Sequence, residues 1–193
     1  HSAVPVVNAL SDDYHPCQVL SDILTIREHA SDLTGVRVAY VGDGNNMAHS
    51  WINAAVHFPI ELSLATPEGY APKPAILEHA LSLGAKVRLT ADPVSGVEGA
   101  NYVYTDVWAS MGQEAEQDAR VGVFSPYQIN EKLLSHAAPG CKVLHCLPAH
   151  RGEEITDEVM EGPRSLIWDQ AENRLHMQKA ILEWVFDSGA RAD

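Results

Sequence analysis

Three short runs carry side chains able to grip and activate a small polar molecule. NYVYTDVW (101–108) ends an apolar segment on Asp106 and is followed by Ser110, Met111 and Gly112. A carboxylate there can hold an amine, and a serine hydroxyl can bond a carboxylate or an ammonium group. The plainer alternative is an aspartate that caps the following turn. HCLPAHRG (145–152) sets Cys146 and Pro148 at the close of another apolar run. A cysteine in a polar, partly exposed cleft can become thiolate-like and assist proton movement, whereas Cys17 and Cys141 read as buried apolar residues. GDGNNM (42–47) places the consecutive amides Asn45 and Asn46 after a glycine turn, suited to the carboxylate of an amino acid.

Two further positions join them. In HPCQ (15–18), His15 and Gln18 lie one helical turn apart at a helix N-terminus, where unpaired N–H groups favour an anionic ligand. Arg174 opens the last helical pattern and could pair with an acid or grip a phosphate. Other chemistries are weaker. Gly42-Asp43-Gly44 with Glu68 further along hints at a dinucleotide turn, but Met47 stands where the third glycine should allow close helix–strand packing. His136, Cys141, His145, Cys146 and His150 are near one another in sequence, yet strand alternation sends Cys141 and His145 to one face and Cys146 to the other. No metal and no cofactor is expected.

The elements that must position these residues alternate between strand and helix. Strands are predicted at 36–44, 60–67, 86–92, 101–108 and 142–148. Helices are predicted at 15–30, 45–58, 74–85, 126–140 and 171–186, with a short turn around Pro93 and Gly96. Such alternation argues for an α/β fold: a three-layer, doubly wound parallel sheet with helices on both faces, Rossmann-like in outline. Ligands in such folds bind beyond the carboxyl ends of the strands, where Asn46, Asp106 and Cys146 fall.

The 193 residues are enough to bury a core without a disulfide or metal. Thirteen basic against 26 acidic residues give a formal charge of -13, which argues against nucleic acid and is compatible with a cationic small substrate. Three cysteines without a CxxC pair do not form a secreted disulfide framework, and no apolar run reaches the ~18 residues of a membrane span. A cytoplasmic location without membrane contact is expected. The chain opens at His1, with neither a starting Met nor a basic leader, which suggests a piece of something longer.

In this order and spacing the motifs resemble the carbamoyltransferase family. HPCQ is similar to the His-Pro-x-Gln motif shared by transcarbamoylases. Asp106 with Ser110-Met111-Gly112, the run His145-Cys146-Leu147-Pro148, and Glu172-Asn173-Arg174 resemble the ornithine enzymes in particular. The resemblance covers essentially the whole chain as an ornithine-binding domain, residues 1–193. It implies transfer of a carbamoyl group from carbamoyl phosphate to the δ-amine of ornithine, giving citrulline and phosphate. It further implies that Asn46, Asp106, Ser110 and Met111 hold ornithine, and that His15, Gln18, Cys146, Leu147 and Arg174 contact carbamoyl phosphate. Asp106, Cys146, His15 and Arg174 would then serve the chemistry.

Family members bind carbamoyl phosphate chiefly through a Ser-Thr-Arg-Thr-Arg loop in an N-terminal domain, and no such run occurs in this sequence. The resemblance therefore implies that helix 171–186 packs on that domain, that the full-length enzyme is a homotrimer or a multiple of one, and that the chain as written is inert or nearly so. Two other readings stand beside it: a non-catalytic amino-acid-binding module, and a domain of an NAD-dependent dehydrogenase.

Overall fold

In the computed structural model, residues 4–109 and 117–189 are described, apart from the side chains of residues 117, 118, 188 and 189. Five strands, β1 (Arg37–Val41), β2 (Glu61–Ala65), β3 (Lys86–Thr90), β4 (Tyr102–Thr105) and β5 (Lys142–His145), form one sheet in the order β3-β2-β1-β4-β5. Every pairing is parallel. The order reverses between β1 and β4, so their carboxyl ends splay apart into the crevice where doubly wound sheets bind ligands.

Alternating side chains feed two cores. Val38, Tyr40, Leu62, Leu64, Tyr104 and Leu144 pack against α1 (Pro16–His29), α2 (Asn46–His57) and Ala80 of α3 (Pro74–Ser82). Ala39, Val41, Val103 and Val143 face the other way, onto α4 (Pro93–Val97), α6 (Glu131–Leu134) and α7 (Asp157–Met160). Period-two alternation with both faces covered is what a buried parallel sheet requires, and the expected fold class is observed. The chain is completed by α5 (Gln117–Phe124) and α8 (Ile167–Gly189).

Three elements depart from the sequence pattern. The helix expected over 126–140 is only a 3₁₀ turn, Ser125–Tyr127, followed by the single turn of α6. Between them Ile129 is extended: its N–H donates to the Glu154 carbonyl, and its own carbonyl accepts from Thr156. That pairing with a remote segment overrides local helical propensity, and Asn130 then caps a new turn by accepting from the Leu133 amide. The turn at Pro93 is a short helix, capped by the Asp92 carboxylate on the amides of Val94 and Ser95.

The last helix starts at Ile167 rather than 171, so Arg174 lies well inside it. Beyond buried Ile167, its inner side carries polar residues. Asn173 donates to Thr25 Oγ1 and Glu28 of α1, and Gln170 is fully buried. The apolar positions Leu175 and Trp184 of this helix are 62% and 69% exposed.

Candidate active site

Gly42 and Gly44 end β1 and turn the chain into α2. A Cβ on Gly44 would lie 2.3 Å from Pro72 N and 2.5 Å from the Tyr70 carbonyl, so only glycine lets the 70–72 segment close over this turn. Asn45 then caps α2: its Oδ1 accepts from the amides of Met47 (2.9 Å) and Ala48 (3.3 Å) and from the Tyr40 hydroxyl (3.0 Å). With the oxygen fully engaged, Asn45 Nδ2 is the atom left to face the neighbouring strand end, where it donates to Asp106 Oδ2 at 2.8 Å.

Asp106 follows β4 and is the hub of the site. Its Oδ1 accepts from the Val107 amide (2.8 Å) and from the Cys146 thiol (3.0 Å). Three donors thus fix one carboxylate that is 8% exposed at the floor of the crevice. Burial, reinforced by the negative charge of Asp106, pushes the Cys146 thiol well above its ordinary range. Cys146 is therefore a thiol donating to Asp106. The sequence leaves the ionisation of Cys146 open, and its burial beside an anion rather than exposure beside a cation favours the thiol.

The following residue is set by the backbone. Leu147 has φ 59, a left-handed conformation costly for a branched side chain. Its N–H donates to His145 Nδ1 at 2.9 Å, which makes Nδ1 an acceptor and leaves Nε2–H to donate to buried Glu154 at 3.0 Å. Glu154 also receives the His150 amide, so one carboxylate anchors both ends of the 145–150 loop.

His15, Asn46, Asp106, Cys146 and Leu147 line a single cleft of about 820 Å³, together with Asp12, Asp13, Asp43 and His49. Five residues nominated from separate parts of the sequence therefore converge. Asn46 Nδ2 donates to the Ser11 carbonyl at 3.0 Å. Burial lowers the His15 pKa below its ordinary 6.5, helped by the charge of Arg174 and opposed by a hydrogen bond to the Ala9 backbone and the charge of Asp106, so His15 is neutral at pH 7. Its Nδ1 has no hydrogen-bond partner.

Two nominated residues stand back from the cleft. Gln18 is buried behind His15, held by Asp22 at 2.8 Å. Arg174 is half-buried on α8 and reaches His15 only through its charge. Ser110, Met111 and Gly112 lie outside the described residues. The five-residue zinc grouping fails on placement, because Cys141 packs in the core beneath α4 and α6 and Cys146 in the opposite one. Among the described residues, the grouping with metal-ligand spacing is His150, Glu153 and Glu154.

Sequence reasoning missed Arg120. It is buried, donates to Asp43 Oδ2 at 2.6 Å and to the Trp108 carbonyl at 2.9 Å, and lies over the rings of Tyr70 and Phe124. Nothing in its sequence neighbourhood announces that role. Asn45 was visible as a polar residue after the glycine turn, but its grip on Asp106 depends on β1 and β4 being neighbours.

The aspartate/ornithine carbamoyltransferase Asp/Orn binding domain matches residues 34–185, and the carbamoyl-P binding domain of the same family matches residues 1–28. The ornithine carbamoyltransferase of Nitratidesulfovibrio vulgaris (strain DP4) is 62% identical over 184 residues, covering 95% of this chain and 61% of that protein. The anabolic ornithine carbamoyltransferase of Pseudomonas aeruginosa is 54% identical, covering 97% of this chain and 60% of that protein. The solved ornithine carbamoyltransferase of Pyrococcus furiosus superposes with a TM-score of 0.89 at 51% identity, over 94% of this chain and 59% of that one. The chain thus spans about three fifths of the length of the relatives it matches. A matched domain that covers most of the chain leads to one conclusion: the chain belongs to the aspartate/ornithine carbamoyltransferase family.

Proposed function

We propose that this chain supplies the ornithine side of an ornithine carbamoyltransferase. The observation that carries the reading is the triple-held Asp106 with the Cys146 thiol 3.0 Å away at the floor of the cleft. The cleft wall favours a cationic acceptor over a dicarboxylate. Asp12, Asp13, Asp43 and Asp106 face it, while the cations nearby are already paired, Lys73 with Asp13 and Arg120 with Asp43.

In the proposed reaction the neutral δ-nitrogen of ornithine attacks the carbonyl carbon of carbamoyl phosphate. A C–N bond forms and the C–O bond to phosphate breaks, the electron pair leaving with phosphate, which takes the proton shed by nitrogen. An amine with a solution pKa of ~10.4 must reach the attack deprotonated, and positioning supplies much of the rate. Asn46 with Asp106, and Ser110 with Met111 outside the described residues, hold ornithine. Neutral His15 donates toward the carbonyl oxygen as charge builds there. Gln18, Leu147 and Arg174 complete the carbamoyl phosphate side. No cofactor is involved.

The partner in this reading is a carbamoyl-phosphate-binding domain packed on the outer face of α8, in a homotrimer or a multiple of one, in the cytoplasm. No helix of the described residues is long and apolar enough to cross a membrane.

Isothermal titration of the chain with ornithine, aspartate and putrescine tests the proposal. Saturable binding of ornithine with at least tenfold weaker binding of both others is expected. Equal binding of aspartate, or none of ornithine, refutes the substrate assignment. Combined with a carbamoyl-phosphate-binding domain, the chain should form citrulline from ornithine and carbamoyl phosphate.

A further inference from the structure

Behind the cleft lies a buried polar cluster centred on Asp22, a residue with no part in the scheme above. Asp22 of α1 is fully buried, and its Oδ1 accepts two hydrogen bonds, from Gln18 Nε2 at 2.8 Å and from Gln170 Nε2 of α8 at 2.7 Å. A carboxylate oxygen can only accept, so both glutamines must turn their NH2 groups toward it. That orientation leaves the amide oxygens for other work. Gln170 Oε1 accepts the backbone N–H of His145 at 2.8 Å, at the very end of β5 and one residue before Cys146. Gln18 Oε1, one helical turn from His15, has no partner.

We propose that Asp22 is a positioning residue for the cleft: by accepting from Gln18 and Gln170 on one oxygen, it locks the first turns of α1, which follow His15, to the carboxyl end of β5, which carries Cys146. The relay runs Gln18–Asp22–Gln170–His145 and crosses from the segment matching the carbamoyl-P binding domain to the segment matching the Asp/Orn binding domain. Side chains buried without water between them transmit such constraints because an unpaired group in the interior is costly. The two walls of the cleft are thereby held in register by one carboxyl group that touches neither substrate.

Burial lifts the Asp22 carboxyl to about 7, against the pull of its hydrogen bonds from Gln18, Gln170 and Tyr104 and the charge of Arg174. The other ionisable groups that face it from the sheet are Tyr104 and Cys146, both driven well above their ordinary values by burial and so uncharged near neutrality. Titration of Asp22 can therefore be read at the glutamines it holds.

The experiment records side-chain amide and backbone NMR signals of the 193-residue chain across pH 5.5–8.5, for the wild type, Asp22→Asn and Asp22→Leu. The Gln18 and Gln170 amide signals should move together with one midpoint in the wild type and stay flat in Asp22→Asn, whose Oδ1 can still accept from both. In Asp22→Leu those signals and the His145 backbone amide should shift markedly even at fixed pH. Ornithine affinity, the arm resting on the proposed function, should fall at least fivefold in Asp22→Leu and stay within twofold of wild type in Asp22→Asn.

If Asp22→Leu does not fold, Gln170→Met serves in its place, with the same shift expected at His145. Glutamine signals that titrate independently, or a His145 amide unmoved by these variants, would overturn the relay. Full ornithine affinity in a folded Asp22→Leu or Gln170→Met chain would overturn the positioning role. A wild type that binds no ornithine refutes the proposed function while the NMR result still judges the relay.

Discussion

At the scale of single residues, the carboxyl groups of Asp106 and Asp22 do different work. Asp106 is held by three donors at the cleft floor, so removing its charge should act on ligand binding. Asp106→Asn turns an NH2 toward groups that already donate and forfeits a charge-assisted contact to the substrate's ammonium. Ornithine affinity should drop by about 10- to 100-fold, the equivalent of about 1.5–3 kcal/mol, as read by isothermal titration. Asp22 bears on stability instead. Its folded value of about 7 lies above its ordinary 3.8, so the native state binds the extra proton between those values. Its contribution is whole below pH ~4 and is lost as pH rises toward 7. Asp22→Asn should therefore unfold at higher denaturant than wild type at pH 8, by on the order of 2 kcal/mol, with the gain vanishing near pH 4. A gain that persists unchanged at pH 4 would contradict this assignment.

Among the elements, the β1–α2 turn carries the tightest steric demand. Gly44→Ala places a methyl group within 2.5 Å of backbone atoms of residues 70–72, which cannot step aside as a flexible side chain can. Chemical denaturation should register a loss of about 2–4 kcal/mol, and Asn45 should lose its alignment with Asp106. The strands and the longer helices α1, α2 and α3 were legible in the sequence because their periodicity and their Pro and Gly punctuation are local. The 126–140 segment was not, because Ile129 is extended by pairing with residues 154–156, an interaction no window of sequence contains. The inner face of α8 was not legible for a related reason: it buries Gln170 and Asn173 against partners on β5 and α1 that lie far off in sequence.

For the molecule as a whole, Trp168, Leu175, Leu182 and Phe186 recur at heptad-like spacing on α8 and are 48%, 62%, 51% and 75% exposed. Large apolar side chains exposed along one face of a helix favour association in water. Sedimentation of the isolated chain should detect concentration-dependent oligomers that Leu182→Glu with Phe186→Glu largely abolishes. The sequence by itself determined the alternating α/β plan, the strand-end location of Asn46, Asp106 and Cys146, and the family, since each follows from local pattern or motif. Only the tertiary structure decided what those residues are: that Cys146 is a buried thiol, that Asn45 and Arg120 brace the cleft, that Gln18 and Arg174 stand behind it, and that Asp22 ties its walls together. Protonation and hydrogen-bond partnership depend on burial and on neighbours distant in sequence, such as Asp22 and Gln170, 148 positions apart, and those are fixed only when the sheet brings the segments together.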